Sequence, residues 1–175
     1  MSYYARLCCQ KQMMSSPHKM ISRNSRRNRA LKVERDAYHI AVGLLSRREH
    51  SQCELATKLQ QKGFTEPAIA AALALLLEHD LQSDQRFVED LVRSRMLKGY
   101  GPLRIRHDCR QRGIAASLLD DYLGSENFDW LHLARATYGK KYQANQQIDH
   151  AEKAKRVRFM QSRGFPSDII FQLFD

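Results

Sequence analysis

The chain has 175 residues, 29 Lys and Arg against 19 Asp and Glu, a formal net charge of +10, and 43% apolar side chains. That length allows one ordinary domain or a few small units, and the composition fits a folded, soluble protein. No apolar run approaches the ~20 residues of a membrane helix, and the first thirty residues lack the apolar core of a secretory signal, so neither a membrane span nor export is expected.

Taken in chain order, the charge comes first. Residues 1–35 carry nine basic side chains and one acid, Glu34, giving +8, whereas the other 140 residues carry 20 bases and 18 acids, giving +2. Residues 1–34 are predicted to be a basic, disordered tail, because the stretch from Lys11 to Ala30 has too few apolar anchors to offset the entropy of ordering. Such an arm is attracted to phosphates. It could equally be a solvated extension or the product of an early start codon, since Met13, Met14 and Met20 are alternative starts.

Past residue 35 the pattern is helical. Ala37, Ile40, Ala41, Leu44 and Leu45 recur at i, i+3, i+4, i+7 and i+8, one buried helix stripe. Ser51 followed three residues later by Glu54 is a capping box opening a second helix that turns Leu55 and Leu59 inward. Gly63 ends it, and Thr65-Glu66-Pro67 opens a third. No stretch alternates with period two, so the chain is predicted to be all-α.

The glycines reveal a repeat. Lys62-Gly63-Phe64, Arg112-Gly113-Ile114 and Arg163-Gly164-Phe165 lie 50 and 51 residues apart. Leu59, Cys109 and Met160 stand four residues before these glycines, with Ile69, Leu119 and Ile170 six after and Leu73, Leu123 and Phe174 ten after. Each glycine suits the left-handed residue that closes a helix. Three tandem three-helix repeats are predicted, at 35–80, 82–124 and 127–174, each too small to stand alone and packing on its neighbours in an elongated, curved array.

Two of the helices that end in these glycines are strongly basic. The second repeat has Arg104, Arg106, Arg110 and Arg112 against Asp108, and the third has Lys153, Lys155, Arg156, Arg158 and Arg163 against Glu152. Ile105 and Cys109 share one face, while Arg106, His107 and Arg110 project elsewhere. A basic face repeated along an array would track an extended anionic partner; solvated helix surface is the other reading. Lys140 and Lys141, between Tyr138 and Tyr142, are a further nucleic-acid contact candidate. The acids of 78–90 read as structural, through the dipole of the helix that starts near Ser83 or by pairing with a neighbouring repeat. Tyr100, in the Gly99–Pro102 turn, is a possible exposed contact, and Trp130 is expected to anchor the third repeat's core. Cys8, Cys9, Cys53 and Cys109 form no CxxC pair and are read as free thiols, Cys53 and Cys109 as small core residues.

Enzyme motifs are missing: no GxxxxGK[ST] phosphate loop, no HExxH, no GxSxG elbow. No catalytic residue, metal or cofactor is therefore assigned. A helix-turn-helix reader of DNA bases is not expected either, because the helix after Gly63, Ala68 to Leu77, offers nothing to hydrogen-bond a base edge.

The stretch Leu44-Leu45-Ser46-Arg47-Arg48-Glu49-His50-Ser51, with Glu54-Leu55, Lys58-Leu59 and the Lys62-Gly63-Phe64 close, resembles the first repeat of RecX proteins. Asp84-Gln85-Arg86-Phe87-Val88, then Lys98-Gly99-Tyr100-Gly101-Pro102 and Arg104-Ile105-Arg106, resembles the second. The resemblance runs from about residue 36 to the C-terminus. It implies a bacterial, cytoplasmic, non-enzymatic regulator of the RecA recombinase in DNA repair and the SOS response. Such a regulator binds the RecA–single-stranded DNA filament and inhibits filament growth, ATP hydrolysis, strand exchange and coprotease activity. The alternative is a non-specific DNA-binding helical-repeat protein that competes for the DNA lattice. A monomer with weak direct nucleic-acid binding is expected.

Overall fold

A computed structural model of the chain describes residues 32–125, 128–142 and 149–174. Regular structure among the described residues is entirely helical: α1 over 32–45, α2 Gln52–Gln61, α3 Glu66–Glu78, α4 Asp84–Leu97, α5 Pro102–Arg110, α6 Ala116–Ser125, α7 Trp130–Gly139, α8 His150–Ser162 and α9 Ser167–Phe171. The basic tail expected over 1–34 lies outside the described residues, except that 32–34 are already helical.

The helix ends follow local chemistry. Ser51, Ser83, Asp129 and Asp149 each accept a hydrogen bond from the backbone N–H three residues on, satisfying a donor left open at a helix start. At the other ends, Phe64 N–H donates to Leu59 O, Ile114 N–H to Cys109 O and Phe165 N–H to Met160 O, each at 3.2 Å. The glycine between adopts a φ of 85°, 71° and 85° respectively. This is the Schellman closure, with its apolar contact from the residue after glycine back to the helix it closes.

Three cores result. Ala37, Ala41, Leu55, Leu59, Ile69, Ala72 and Leu76 bury the α1–α3 unit. Phe87, Val88, Leu91, Val92, Ile105, Cys109, Ile114 and Leu119 bury α4–α6, and Ala134, Met160, Phe165 and Ile170 bury α7–α9. The most extensive helix–helix packing lies inside these units. Leu55, Leu59 and Leu76 have no exposed surface, so truncating any one to alanine costs about 2–5 kcal/mol.

Two expectations are corrected here. Trp130 packs with Phe128 against the second core, not the third, because it opens α7 where that helix leaves the preceding unit. Cys53 is exposed, while Cys109 is buried, and burial pushes the Cys109 thiol up to about 11.

Candidate interaction surface

The middle helices of the units meet end to end. Where α5 closes, Ser51, the cap of α2, donates its hydroxyl to Arg112 O at 2.7 Å. Where α8 closes, Gly101 N–H donates to Arg163 O at 2.9 Å and Leu103 N–H to Gly164 O at 3.0 Å, at the start of α5. The carbonyl end of α8 therefore faces the amide end of α5, and the carbonyl end of α5 faces the amide end of α2. Orphan groups at helix termini satisfy one another, and the dipoles add head to tail.

Glycine makes this approach possible. A β-carbon on Gly164 would sit 2.4 Å from the Arg104 backbone nitrogen, and one on Gly113 would sit 2.6 Å from Cys53 Cβ. Gly63, at the free end of the row, would meet nothing within 4 Å.

The first junction is lined with charge. Glu54 accepts from Arg48 at 3.0 Å, His50 at 3.0 Å and Arg112 at 3.1 Å, the last across units. Burial works to raise the Glu54 pKa, but hydrogen bonds and charge from Arg48 and His50 outweigh it and hold the carboxyl below its ordinary range. Asp84 accepts from Gln52 N–H at 3.0 Å, Gln82 donates to His50 O at 3.2 Å, and Arg86 bridges to Glu49 at 3.1 Å. Glu54 thus opens outward to three bases instead of closing the capping box on Ser51.

The predicted contact residues divide into two groups. Arg110, Lys140, Lys141, Lys153, Lys155 and Arg158 are exposed or only partly covered. Lys155 pairs with Glu152 at 3.5 Å, and Arg104 and Arg106 are also exposed but engaged, with Asp108 and Asp120 respectively. Among the described residues Arg110 and Arg158 have no ion-pair partner. Three others turn inward. Arg112 is a strut between units, to Glu54 and to Asp108 O. Arg163 is half-buried, donates to Lys98 O at 3.1 Å and lies over the Tyr100 ring at 5.1 Å, which covers Tyr100.

Arg156 is the clearest correction: it is 4% exposed, bonded to Glu152 at 3.0 Å and to the Tyr138 hydroxyl at 2.8 Å, with its guanidinium over Tyr142 at 4.6 Å. It stands four residues before Met160, the slot that Leu55 and Ile105 fill in the other units. That offset is the signal the sequence offers. The engagement of Lys98, whose carbonyl anchors Arg163, has none beyond its place before Gly99.

Among the described residues no helix is long and apolar enough to cross a membrane, and no cluster of His, Cys, Asp and Glu could hold a metal ion. The profiles of the first, second and third three-helix domains of RecX match residues 37–76, 83–123 and 129–174. The chain is 42% identical over 130 residues to the regulatory protein RecX of Vibrio campbellii, covering 74% of this chain and 84% of that one. It is 38% identical over 138 residues to the regulatory protein RecX of Legionella pneumophila, covering 79% and 92%. The crystal structure of RecX from Lactobacillus salivarius superposes with a TM-score of 0.66 at 21% identity, over 82% of this chain and 96% of that one, a likeness of fold.

Proposed function

The chain belongs to the RecX family of regulatory proteins, and from that premise we propose that it binds the RecA–single-stranded DNA filament and restrains its growth. ATP hydrolysis, strand exchange and coprotease activity fall in consequence. It acts by occupancy, as a monomer in the bacterial cytoplasm, with no chemical step of its own. The observation that carries this reading is the end-to-end row α8–α5–α2. It strings Lys153, Lys155 and Arg158, then Arg106 and Arg110, along successive helices of one array. A repeating anionic partner, either a nucleoprotein filament or the acidic wall of its groove, matches charges displayed in that way. Docked along the groove or at the growing end, the array would block subunit addition or the motions that accompany turnover.

The test is single-strand-dependent ATP hydrolysis by the cognate RecA, titrated with this protein beside a matched titration of the same DNA without RecA. Inhibition at protein levels too low to occupy naked DNA supports filament binding. Inhibition only where naked DNA is already saturated sinks it in favour of lattice competition. Reversing Arg106 and Arg110 to glutamate together should weaken inhibition about tenfold or more and flatten its salt dependence. Both are exposed, so helical content should persist; unchanged inhibition in that folded variant removes α5 from the surface.

A further inference from the structure

Beside the second junction lies a crevice of about 230 Å³ whose wall includes Lys98, Lys140, Lys141 and Arg163 and no carboxylate. The larger crevices at the first junction differ: Glu54 sits among the bases of one, and Glu49 and Asp90 among those of the other. None of the four cations forms an ion pair among the described residues. The adjoining sequence 143–148, Gln-Ala-Asn-Gln-Gln-Ile, contains no acid either.

Two of the four cations are nevertheless held. Lys141 Nζ lies 3.8 Å from the centre of the Phe159 ring, and Arg163 is pinned by Lys98 O and by the faces of Tyr100 and Phe159. A π face or a carbonyl orients a cation without cancelling its charge, so these groups converge while remaining unneutralised. Four like charges around one recess repel unless an anion enters, and an anion that enters finds two of its donors, Lys141 and Arg163, already in place.

We propose that this crevice seats a phosphodiester of single-stranded nucleic acid. A recess of this size takes one phosphate and its sugar. A flexible single strand can lower one phosphate into it, whereas a duplex presents its phosphates on a stiff outer surface better met by a flat basic face. Leu97, 78% exposed on the rim, offers an apolar platform beside the phosphate for an unstacked base. The proposal rests on the filament reading only in naming a single strand as the polymer.

Anisotropy of a labelled oligo-dT, titrated with the full chain at several salt concentrations without RecA, tests it. Lys140→Glu with Lys141→Glu, and separately Lys98→Glu, should each lower affinity about tenfold or more at low salt. Each should also make the plot of log K against log salt shallower, by roughly 0.7 for every phosphate that is no longer neutralised. Lys62→Glu, at the far end of the row, should change little; an equal loss there would overturn the site in favour of general charge attraction. Inorganic phosphate at matched ionic strength should displace the strand poorly, and displacement as effective as by unlabelled oligo-dT would reduce the crevice to a simple anion site. A crevice variant that binds oligo-dT normally but no longer inhibits RecA would overturn the strand proposal and leave filament binding standing, the crevice then meeting an acidic protein surface. A wild-type chain that binds oligo-dT through the crevice yet leaves RecA uninhibited would do the reverse.

Discussion

The two junctions of the array solve one geometric problem with different chemistry. Between the first and second units, side chains make the joint: Ser51 to Arg112 O, Glu54 to Arg112, Asp84 to Gln52 N–H, Arg86 to Glu49. Three carboxylates take part, and charge is balanced locally. Between the second and third units, backbone meets backbone through Gly101, Leu103, Arg163 and Gly164, and among the described residues no carboxylate joins across. The first joint should therefore respond to pH and salt while the second does not, although a close glycine, Gly113 in one and Gly164 in the other, makes both sensitive to the size of a side chain. The difference also explains where anions can be received, because a joint that needs no carboxylates leaves its cations unspent.

The sharpest way to break this comparison is to add one methyl group. Gly164→Ala combines a left-handed φ of 85° with a β-carbon 2.4 Å from the Arg104 nitrogen. The left-handed strain costs about 1–2 kcal/mol, and parting the helices loses two hydrogen bonds at about 0.5–1.5 kcal/mol each. Gly63→Ala has the same φ but open space around it, so only the strain of about 1–2 kcal/mol remains. Thermal unfolding should show a clearly larger drop for Gly164→Ala, with Gly113→Ala nearer to it than to Gly63→Ala. Equal drops at Gly63 and Gly164 would mean that the end-to-end contact contributes nothing to stability.

Glu54→Gln probes the other joint. It leaves Arg48, His50 and Arg112 converging without their carboxylate, at a site where the Glu54 side chain is 17% exposed. The cost should fall between an exposed pair at about 0–1 kcal/mol and a broken buried pair at about 3–5 kcal/mol, and so near ~2 kcal/mol. Urea denaturation at low and high salt measures it. A loss of stability independent of salt would show that Glu54 acts by packing and not by charge.

Much of this is legible in the sequence, and what is not has a common cause. Periodicity marks which face of a helix is buried, and Leu55, Leu59, Ile105 and Cys109 lie where it puts them. The constant spacing of Gly63, Gly113 and Gly164 identifies the helix ends because only local backbone geometry is involved. Periodicity is silent on what does the burying. Trp130 reads as part of the unit that follows it, yet packs on the one before. Charged side chains look alike in sequence whether they face water or a distant partner, so Arg112 reads as surface although it ties to Glu54, 58 residues away. Arg156 is hidden by its residue type, despite the apolar offset it occupies before Met160. The second role of the glycines, letting helix ends touch, depends on the register between units, which no single-repeat pattern encodes.

The smallest expected effect concerns pH and separates the joints without altering their size. His50 is 3% exposed beside Glu54. Burial, the largest influence, lowers its proton affinity; the hydrogen bond and charge of Glu54 raise it, Arg48 and Lys58 lower it, and the balance lies below the ordinary imidazole value. Below an ordinary value of about 6.5 the unfolded chain therefore binds the proton that the folded chain refuses, so stability falls as pH drops through this range. Glu54 is displaced in the same direction, so its contribution is present above the ordinary carboxylate value and is lost at still lower pH, as the medium passes through its folded value. Both groups belong to the first joint, and the second has no counterpart among the described residues. Denaturation midpoints between about pH 8 and pH 5 should decline for the wild type and for Gly63→Ala alike, and His50→Gln should flatten that decline. A decline that survives His50→Gln undiminished would move the acid-sensitive element away from the first joint and remove the chemical contrast between the two.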